Sequence, residues 1–149
     1  MRESDLPMIA AHELEIFPDP WTELAFRDTL AYDDGGGIVA ELVTQDRPKS
    51  VGEIVGYACY YSAAGETHLT NIAVAKSYRR KGVAKRLLDT IFAKARQARS
   101  EAVFLEVRES NHEAQQLYAV FGFMELYRRK RYYANPSEDA IVFVRELSE

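Results

Sequence analysis

One succession of residues limits what this chain can fold into more than any other. The apolar run Asn71-Ile72-Ala73-Val74 leads through a short tyrosine-bearing linker into Arg79-Arg80-Lys81-Gly82-Val83-Ala84. An amphipathic stretch starts directly behind it: over residues 82–99, Ala84, Leu87, Leu88, Ile91, Phe92 and Ala95 recur at helical spacing, with Lys85, Arg86, Asp89 and Lys94 on other faces. Residues 102–107 then read as a strand. Strand, helix and strand in that order favour a right-handed crossover, which lays the second strand parallel to the first at residues 67–74. The chain is therefore expected to form a mixed α/β sheet with one parallel pair beside the basic turn.

That turn has the layout of an anion site at a helix N-terminus. Gly82 lets the backbone approach closely, the N–H groups of the first helical turn point outward, and Arg79, Arg80 and Lys81 add positive charge. The pattern suits a phosphorylated ligand, and the plainer alternative is a helix start dressed with solvated cations. It lacks the longer glycine spacing and Lys-Ser or Lys-Thr pair of a P-loop, and the three glycines of a dinucleotide fingerprint.

With 149 residues, 47% of them hydrophobic, the chain has material for one well-buried core, and residues 1–149 read as a single domain. A net charge of -4 argues against a nucleic-acid binder driven by bulk electrostatics. The single cysteine, Cys59, lies in the apolar run 54–61, cannot form an internal disulfide and reads as a buried structural thiol in an intracellular chain. There is no basic-then-apolar leader pattern and no apolar stretch near the roughly 20 residues of a membrane span, so a cytoplasmic location is expected.

Elsewhere, Ser4 or Asp5 is positioned to cap a helix running to about Glu15, and Asp19 with Pro20 to restart a second one striped by Trp21, Leu24 and Ala25. Strands follow at about 38–44, 53–62 and 67–74, joined by polar turns at 46–50 and 63–66. Ser110 and Glu113 make a capping-box pair opening a helix that ends at Gly122, with Ala114, Leu117, Tyr118 and Phe121 on one face. Two last strands, about 123–133 and 140–147, are linked by Asn135-Pro136-Ser137. The segment Tyr127-Arg128-Arg129-Lys130-Arg131-Tyr132-Tyr133 mixes basic and aromatic residues, but on a peripheral strand a solvated basic face is commoner than a nucleic-acid surface. His12, His68 and His112 are scattered without carboxylate or cysteine at ligand spacing, so no metal is expected.

Arg79, Gly82 and Ala84 fill the signature of the GNAT family of acetyl-CoA-dependent N-acetyltransferases: Arg or Gln, two residues, Gly, one residue, Gly or Ala. The resemblance covers nearly the whole chain. It narrows to the RimI type through the segment Phe17-Pro18-Asp19-Pro20-Trp21, Asn71-Ile72-Ala73-Val74, Leu105-Glu106-Val107-Arg108-Glu109-Ser110-Asn111, Leu117-Tyr118, Gly122-Phe123, Tyr132-Tyr133 and Glu138-Asp139-Ala140. Enzymes of that type acetylate the N-terminal alanine of a small-subunit ribosomal protein.

The resemblance implies a GNAT fold, a mostly antiparallel sheet with one splayed parallel pair and about four flanking helices. It also implies acetyl-CoA as co-substrate, with the backbone of Ile72, Ala73 and Val74 along the acetyl and pantetheine part. Arg79 belongs to the same signature, and the backbone of Arg80, Lys81, Gly82, Val83, Ala84 and Lys85 would take the pyrophosphate. Asn111 matches a cofactor-contacting asparagine, Glu106 the general base, Tyr118 the general acid, and Tyr132 and Tyr133 the peptide entrance. Each has a rival reading: Glu106 as a solvated strand residue, Tyr118 as core, Asn111 as a helix-start residue. The implied partner is a protein or peptide N-terminus, foremost a ribosomal one, with nucleic acid and membrane not expected. Another N-terminus, a lysine or a small amine are the alternatives, and a non-catalytic acyl-CoA-binding module is the alternative of a different class. Two departures stand out: the first strand usual in the fold is expected to be shortened or absent, and no proline directly follows Tyr133.

Overall fold

The computed structural model describes residues 1–43 and 52–147. Two helices, α1 (Leu6–Ile16) and α2 (Glu23–Leu30), precede strands β1 (Gly35–Leu42), β2 (Glu53–Ala63) and β3 (Glu66–Val74). Then come α3 (Val83–Gln97), β4 (Ala102–Arg108), α4 (His112–Val120), β5 (Met124–Ala134) and β6 (Ser137–Glu146). The strands form one six-stranded sheet in the order β1-β2-β3-β4-β6-β5, antiparallel except for β3 and β4. This is the mixed sheet expected from the strand–helix–strand unit. The polar turn expected at 46–50 and the last residue of the strand expected at 38–44 lie outside the described residues. Among the described residues no strand precedes α1, and no helix is long and apolar enough to cross a membrane.

Apolar residues alternate between the sheet's two faces, so β2 is buried on both. On one face Ala58, Leu69, Val103, Leu105 and Val107 pack against Leu88, Ile91, Phe92 and Ala95 of α3 and Tyr118 of α4. On the other, Tyr57, Cys59 and Ala73 pack against Leu6 and Ile9 of α1 and Phe26 of α2. Burying each large α3 side chain contributes about 1.5–3 kcal/mol, which far outweighs helix propensity in fixing α3 on the sheet. By the same alternation Phe104, Glu106 and Arg108 lie on the face opposite α3, where α1 and α2 pack chiefly on β1 and β2 and reach β3 at Asn71 and Ala73.

Three helix starts differ from expectation, each for a local reason. Asp5 precedes α1, but its carboxylate accepts the Arg2 N–H at 2.6 Å across a short 3-10 turn, Glu3–Asp5, and makes no cap bond to α1. The second helix is capped by the Thr22 hydroxyl, which accepts the Ala25 N–H at 3.2 Å, and not by Asp19. The Trp21 N–H is already taken by Glu13 at 3.2 Å, which keeps Trp21 outside the helix. The buried residues of α2 are Phe26 and Thr29, while Leu24 is exposed. At α4 the cap is Asn111, whose Oδ1 accepts the Ala114 N–H at 3.1 Å, and not Ser110, whose N–H goes to the Glu138 carboxylate.

Candidate active site

The site begins where two strands part. β3 and β4 pair from Glu66 and Ala102 only as far as Leu69 and Leu105. At that point β3 carries a bulge against β2: Leu69 faces Tyr60, Asn71 faces Cys59, and Thr70 is the extra residue, its hydroxyl bonded to the Cys59 carbonyl at 3.1 Å. A bulge bends its strand and increases twist. Beyond it, Asn71, Ile72, Ala73 and Val74 pair with β2 alone, and their other edge faces an opening whose far wall is Glu106, Val107 and Arg108. An unpaired strand edge is a row of N–H and C=O groups ready for an extended ligand.

The basic turn lies at the end of this edge. Gly56, opposite Val74, makes that proximity possible: a Cβ there would meet Val83 Cγ1 at 2.9 Å and the Ala73 carbonyl at 3.1 Å, so only glycine lets α3 start so close to β3. Arg80 and Gly82 both adopt left-handed dihedrals (φ 59° and 80°), and no side chain caps α3. The first-turn amides of a helix have no intrahelical partner. Gly82 is exposed, with nothing within 4 Å of where its Cβ would stand, so the protein itself does not occlude the turn. Arg79 Nε donates to the Val74 carbonyl at 3.2 Å, tying turn to strand, and Lys81 lies over the Tyr78 ring at 5.3 Å. Lys85 is engaged with Asp89 at 2.8 Å.

Across the opening, Glu106 has a side chain 25% exposed and Arg129 of β5 at 3.8 Å. Tyr132 and Tyr133 meet edge-on at 5.1 Å, and Tyr132 is 48% exposed. Burial, followed by Tyr132 and Glu106, pushes the Tyr133 phenol up to about 12. Tyr132 is raised too, by burial and then Glu106. Tyr118 is a core side chain, 6% exposed, set edge-on to Phe123 at 5.7 Å. Burial raises its phenol, with Tyr133 as the second cause. Every fully occluded side-chain nitrogen or oxygen among the described residues has a partner, and no described residue hydrogen-bonds the Tyr118 hydroxyl. Its ring packs in the core, as the core reading has it, and its hydroxyl is left uncommitted to another side chain.

Asn111 is brought to the start of α4 but spends Oδ1 on the cap, leaving only its amide nitrogen for a ligand. Cys59 is fully buried, and burial pushes its thiol up to about 12, so it is a structural thiol and no nucleophile. The basic run of β5 is partly engaged by carboxylates: Arg128 binds Glu125 and Glu109, and Arg129 lies near Glu106.

Sequence reasoning overlooked three features here. Arg108 stacks on Tyr133 at 4.2 Å and holds the β5–β6 hairpin through the Pro136 carbonyl at 3.1 Å and Glu138 at 3.3 Å. Tyr61, His68 and Phe104 stack in a row across β2, β3 and β4, with centroids 4.8 and 5.4 Å apart. Glu13 is buried among polar partners. A charged residue in a strand hints at Arg108, and helical spacing from Leu6, Ile9 and Ile16 hints at Glu13, but nothing local marks the stack.

The Glu138 hold makes a pH prediction. Hydrogen bonds from Ser110, then Arg108, keep its carboxyl below the ordinary 4.5. A depressed folded value means the stabilisation is complete above that ordinary value and is lost as pH falls through the lower one. The stability gap between wild type and Glu138→Gln should stay constant from pH 7 to about 5 and close on further acidification, as denaturant melts at each pH would read. A gap independent of pH down to 3 would mean that Glu138 carries no such hold.

An open strand edge leading to exposed helix-start amides suits a phosphorylated ligand laid along β3, and the family pattern that most of the chain carries is that of an acyltransferase. The chain belongs to the acetyltransferase (GNAT) family, whose pattern it matches over residues 6–123. It is 30% identical to the [ribosomal protein bS18]-alanine N-acetyltransferase of Escherichia coli (strain K12), covering 99% of this chain and 95% of that one. It is 31% identical to the N-alpha-acetyltransferase RimI of Mycobacterium tuberculosis, covering 100% and 91%. The crystal structure of the ribosomal-protein-S18-alanine N-acetyltransferase from Escherichia coli superposes with a TM-score of 0.82 at 27% identity, over 100% of this chain and 92% of that one.

Proposed function

We propose that this chain is an N-alpha-acetyltransferase that moves the acetyl group of acetyl-CoA to a protein N-terminal amine, foremost the N-terminal alanine of a small-subunit ribosomal protein. The observation that carries it is the parting of β3 from β4 at Leu69 and Leu105, with the exposed turn at Gly82 on one side and Glu106 on the other. Relatives near 30% identity that cover almost the whole chain support the acceptor.

In this reading the pantetheine lies along Ile72, Ala73 and Val74 as an added strand, and the pyrophosphate meets the N–H groups of Arg80, Lys81, Gly82, Val83, Ala84 and Lys85, with Arg79 bracing the turn. Asn111 contributes its free amide nitrogen. The acceptor enters past Tyr132 and Tyr133. Its neutral nitrogen attacks the thioester carbonyl carbon, and N–H groups near Val74 stabilise the oxyanion. Glu106 takes the proton the nitrogen sheds and passes it to solvent, the C–S bond breaks, and the sulfur leaves as thiolate, its growing charge met by a hydrogen bond from the Tyr118 hydroxyl. No acyl-enzyme forms, so Cys59 has no role.

The test offers acetyl-CoA with a peptide panel: an alanine-first ribosomal sequence, the same peptide with a blocked N-terminus and a free lysine, other first residues, and small amines, with free thiol followed. Thiol release confined to free N-termini and best for alanine is the expected result. Turnover of the blocked peptide would move the acceptor to lysine. Absence of thiol release with every amine, in protein that binds CoA, would favour a non-catalytic module.

A further inference from the structure

Glu13 has no part in the chemistry above, yet it is the most improbable side chain in the fold. It is 1% exposed, in a core with Cys59, Phe26 and Ala73, and no described cation pairs with it. A buried carboxylate costs several kcal/mol unless its oxygens are bonded. Here three neutral donors from three segments converge on it. The Tyr57 hydroxyl on β2 donates to Oε2, Asn71 Nδ2 on β3 to Oε1 at 3.0 Å, and the Trp21 N–H of the α1–α2 loop to the same oxygen at 3.2 Å. Burial raises its carboxyl and all three donors oppose that rise.

The location of one donor gives the arrangement a purpose. Asn71 is the first residue beyond the Thr70 bulge, where β3 has lost β4 and is held along one edge only. A strand freed on one side has no ladder to fix its tilt, and that tilt sets the width of the opening. Glu13 supplies a second anchor, from the sheet face rather than the missing edge, and ties the same point to the loop carrying Trp21. An apolar residue of similar size could fill the space but could not grip an amide and two further donors.

We propose that Glu13 is a positioning residue: through Asn71 it holds the unpaired half of β3 at the tilt that lets Ile72, Ala73 and Val74 accept the coenzyme as an added strand. This rests on the reading of that edge as the coenzyme's cradle. Glu13 touches no substrate; it acts through β3.

The experiment is a double-mutant cycle on coenzyme binding, with Glu13→Gln, Asn71→Ala and the pair, each checked for folding by thermal melts and titrated calorimetrically with CoA. Glu13→Gln keeps the volume and one acceptor oxygen but turns a donor toward donors. Each single change should weaken CoA binding roughly 10-fold, with KM for acetyl-CoA rising alike and kcat at saturation falling less than about 3-fold. The double variant should bind no worse than the weaker single, because both act through one bond. A merely structural role would move the melting temperature and leave the Kd of folded protein unchanged; that result, or fully multiplicative effects in the double variant, overturns the proposal. If Glu13→Gln does not fold, Asn71→Ala decides alone, since it removes one donor at a half-buried position: unchanged affinity sinks the idea. Wild type that fails to bind CoA overturns the cradle itself, whereas wild type that binds CoA but acetylates no amine overturns the transferase reading and leaves the cradle standing.

Discussion

Glu106→Gln should lower kcat for an N-terminal peptide by roughly 100-fold or more while leaving the Kd for CoA unchanged. The size of the drop separates two roles for the carboxylate. An N-terminal amine with a pKa near ~8 is about one-tenth neutral at pH 7, so supplying the neutral form beforehand accounts for at most about 10-fold. Any further loss must come from removing the proton as the C–N bond forms, when the nitrogen turns acidic. Assaying the variant near pH 9, where the amine is already largely neutral, should restore only the first part. Glutamine keeps the shape of Glu106 at a partly exposed position, so stability should change by no more than about 0.5 kcal/mol. Arg129, at 3.8 Å, would lose its counter-charge but stays exposed to water. Thiol release at pH 7 and pH 9 checks this, and a loss below 3-fold at both would return Glu106 to the solvated surface of β4.

Glu106 was visible in the sequence because a single carboxylate interrupts an apolar strand. The β3–α3–β4 unit was visible for a related reason: its helix repeats apolar residues at one period, its strands at another, and Gly82 marks the join. Local signals of this kind failed where tertiary partners competed for the same group. Asp19-Pro20 is a sound helix start until Glu13 claims the Trp21 N–H, and Ser110 with Glu113 a sound capping box until Glu138 claims the Ser110 N–H. The helix then begins at the next residue with a free oxygen, Thr22 or Asn111.

The bulge at Thr70 and the partners of Glu13 were illegible for a stronger reason. No glycine or proline marks Thr70, and its effect depends on strand β2 across from it. Glu13 sits two positions from Glu15 in one amphipathic helix, and its partners lie 8, 44 and 58 residues away. Helical spacing puts Glu13 on the stripe of Leu6, Ile9 and Ile16 and Glu15 off it, but nothing near it in the chain supplies the donors that make burial tolerable. The opening between β3 and β4 depends on that bulge, so the residues lining the site could be named from the sequence while the device that parts the strands could not.

Tyr118→Phe is expected to be the second large loss, and the environment of the phenol predicts its size. Burial holds the hydroxyl protonated well above neutral pH, so the donor form is the one present during turnover. The same shift makes it a weaker acid than an ordinary phenol, while a departing thiolate is the conjugate base of a thiol with a pKa near ~8.5. Proton transfer ahead of C–S cleavage is therefore uphill, and the main service is a hydrogen bond that strengthens as charge gathers on sulfur. Hydrogen bonds to charged groups contribute about 1.5–3 kcal/mol, which converts to a kcat loss of roughly 10- to 100-fold, smaller than for Glu106. Stability should hardly change, since no described residue bonds the hydroxyl and the ring keeps its contacts with Phe123 and Phe143. An acyl donor with a more acidic thiol leaving group should narrow the gap between variant and wild type, because its thiolate needs less help. Pre-steady-state thiol release with both donors measures this, and a variant as fast as wild type with acetyl-CoA would leave Tyr118 as a core side chain alone.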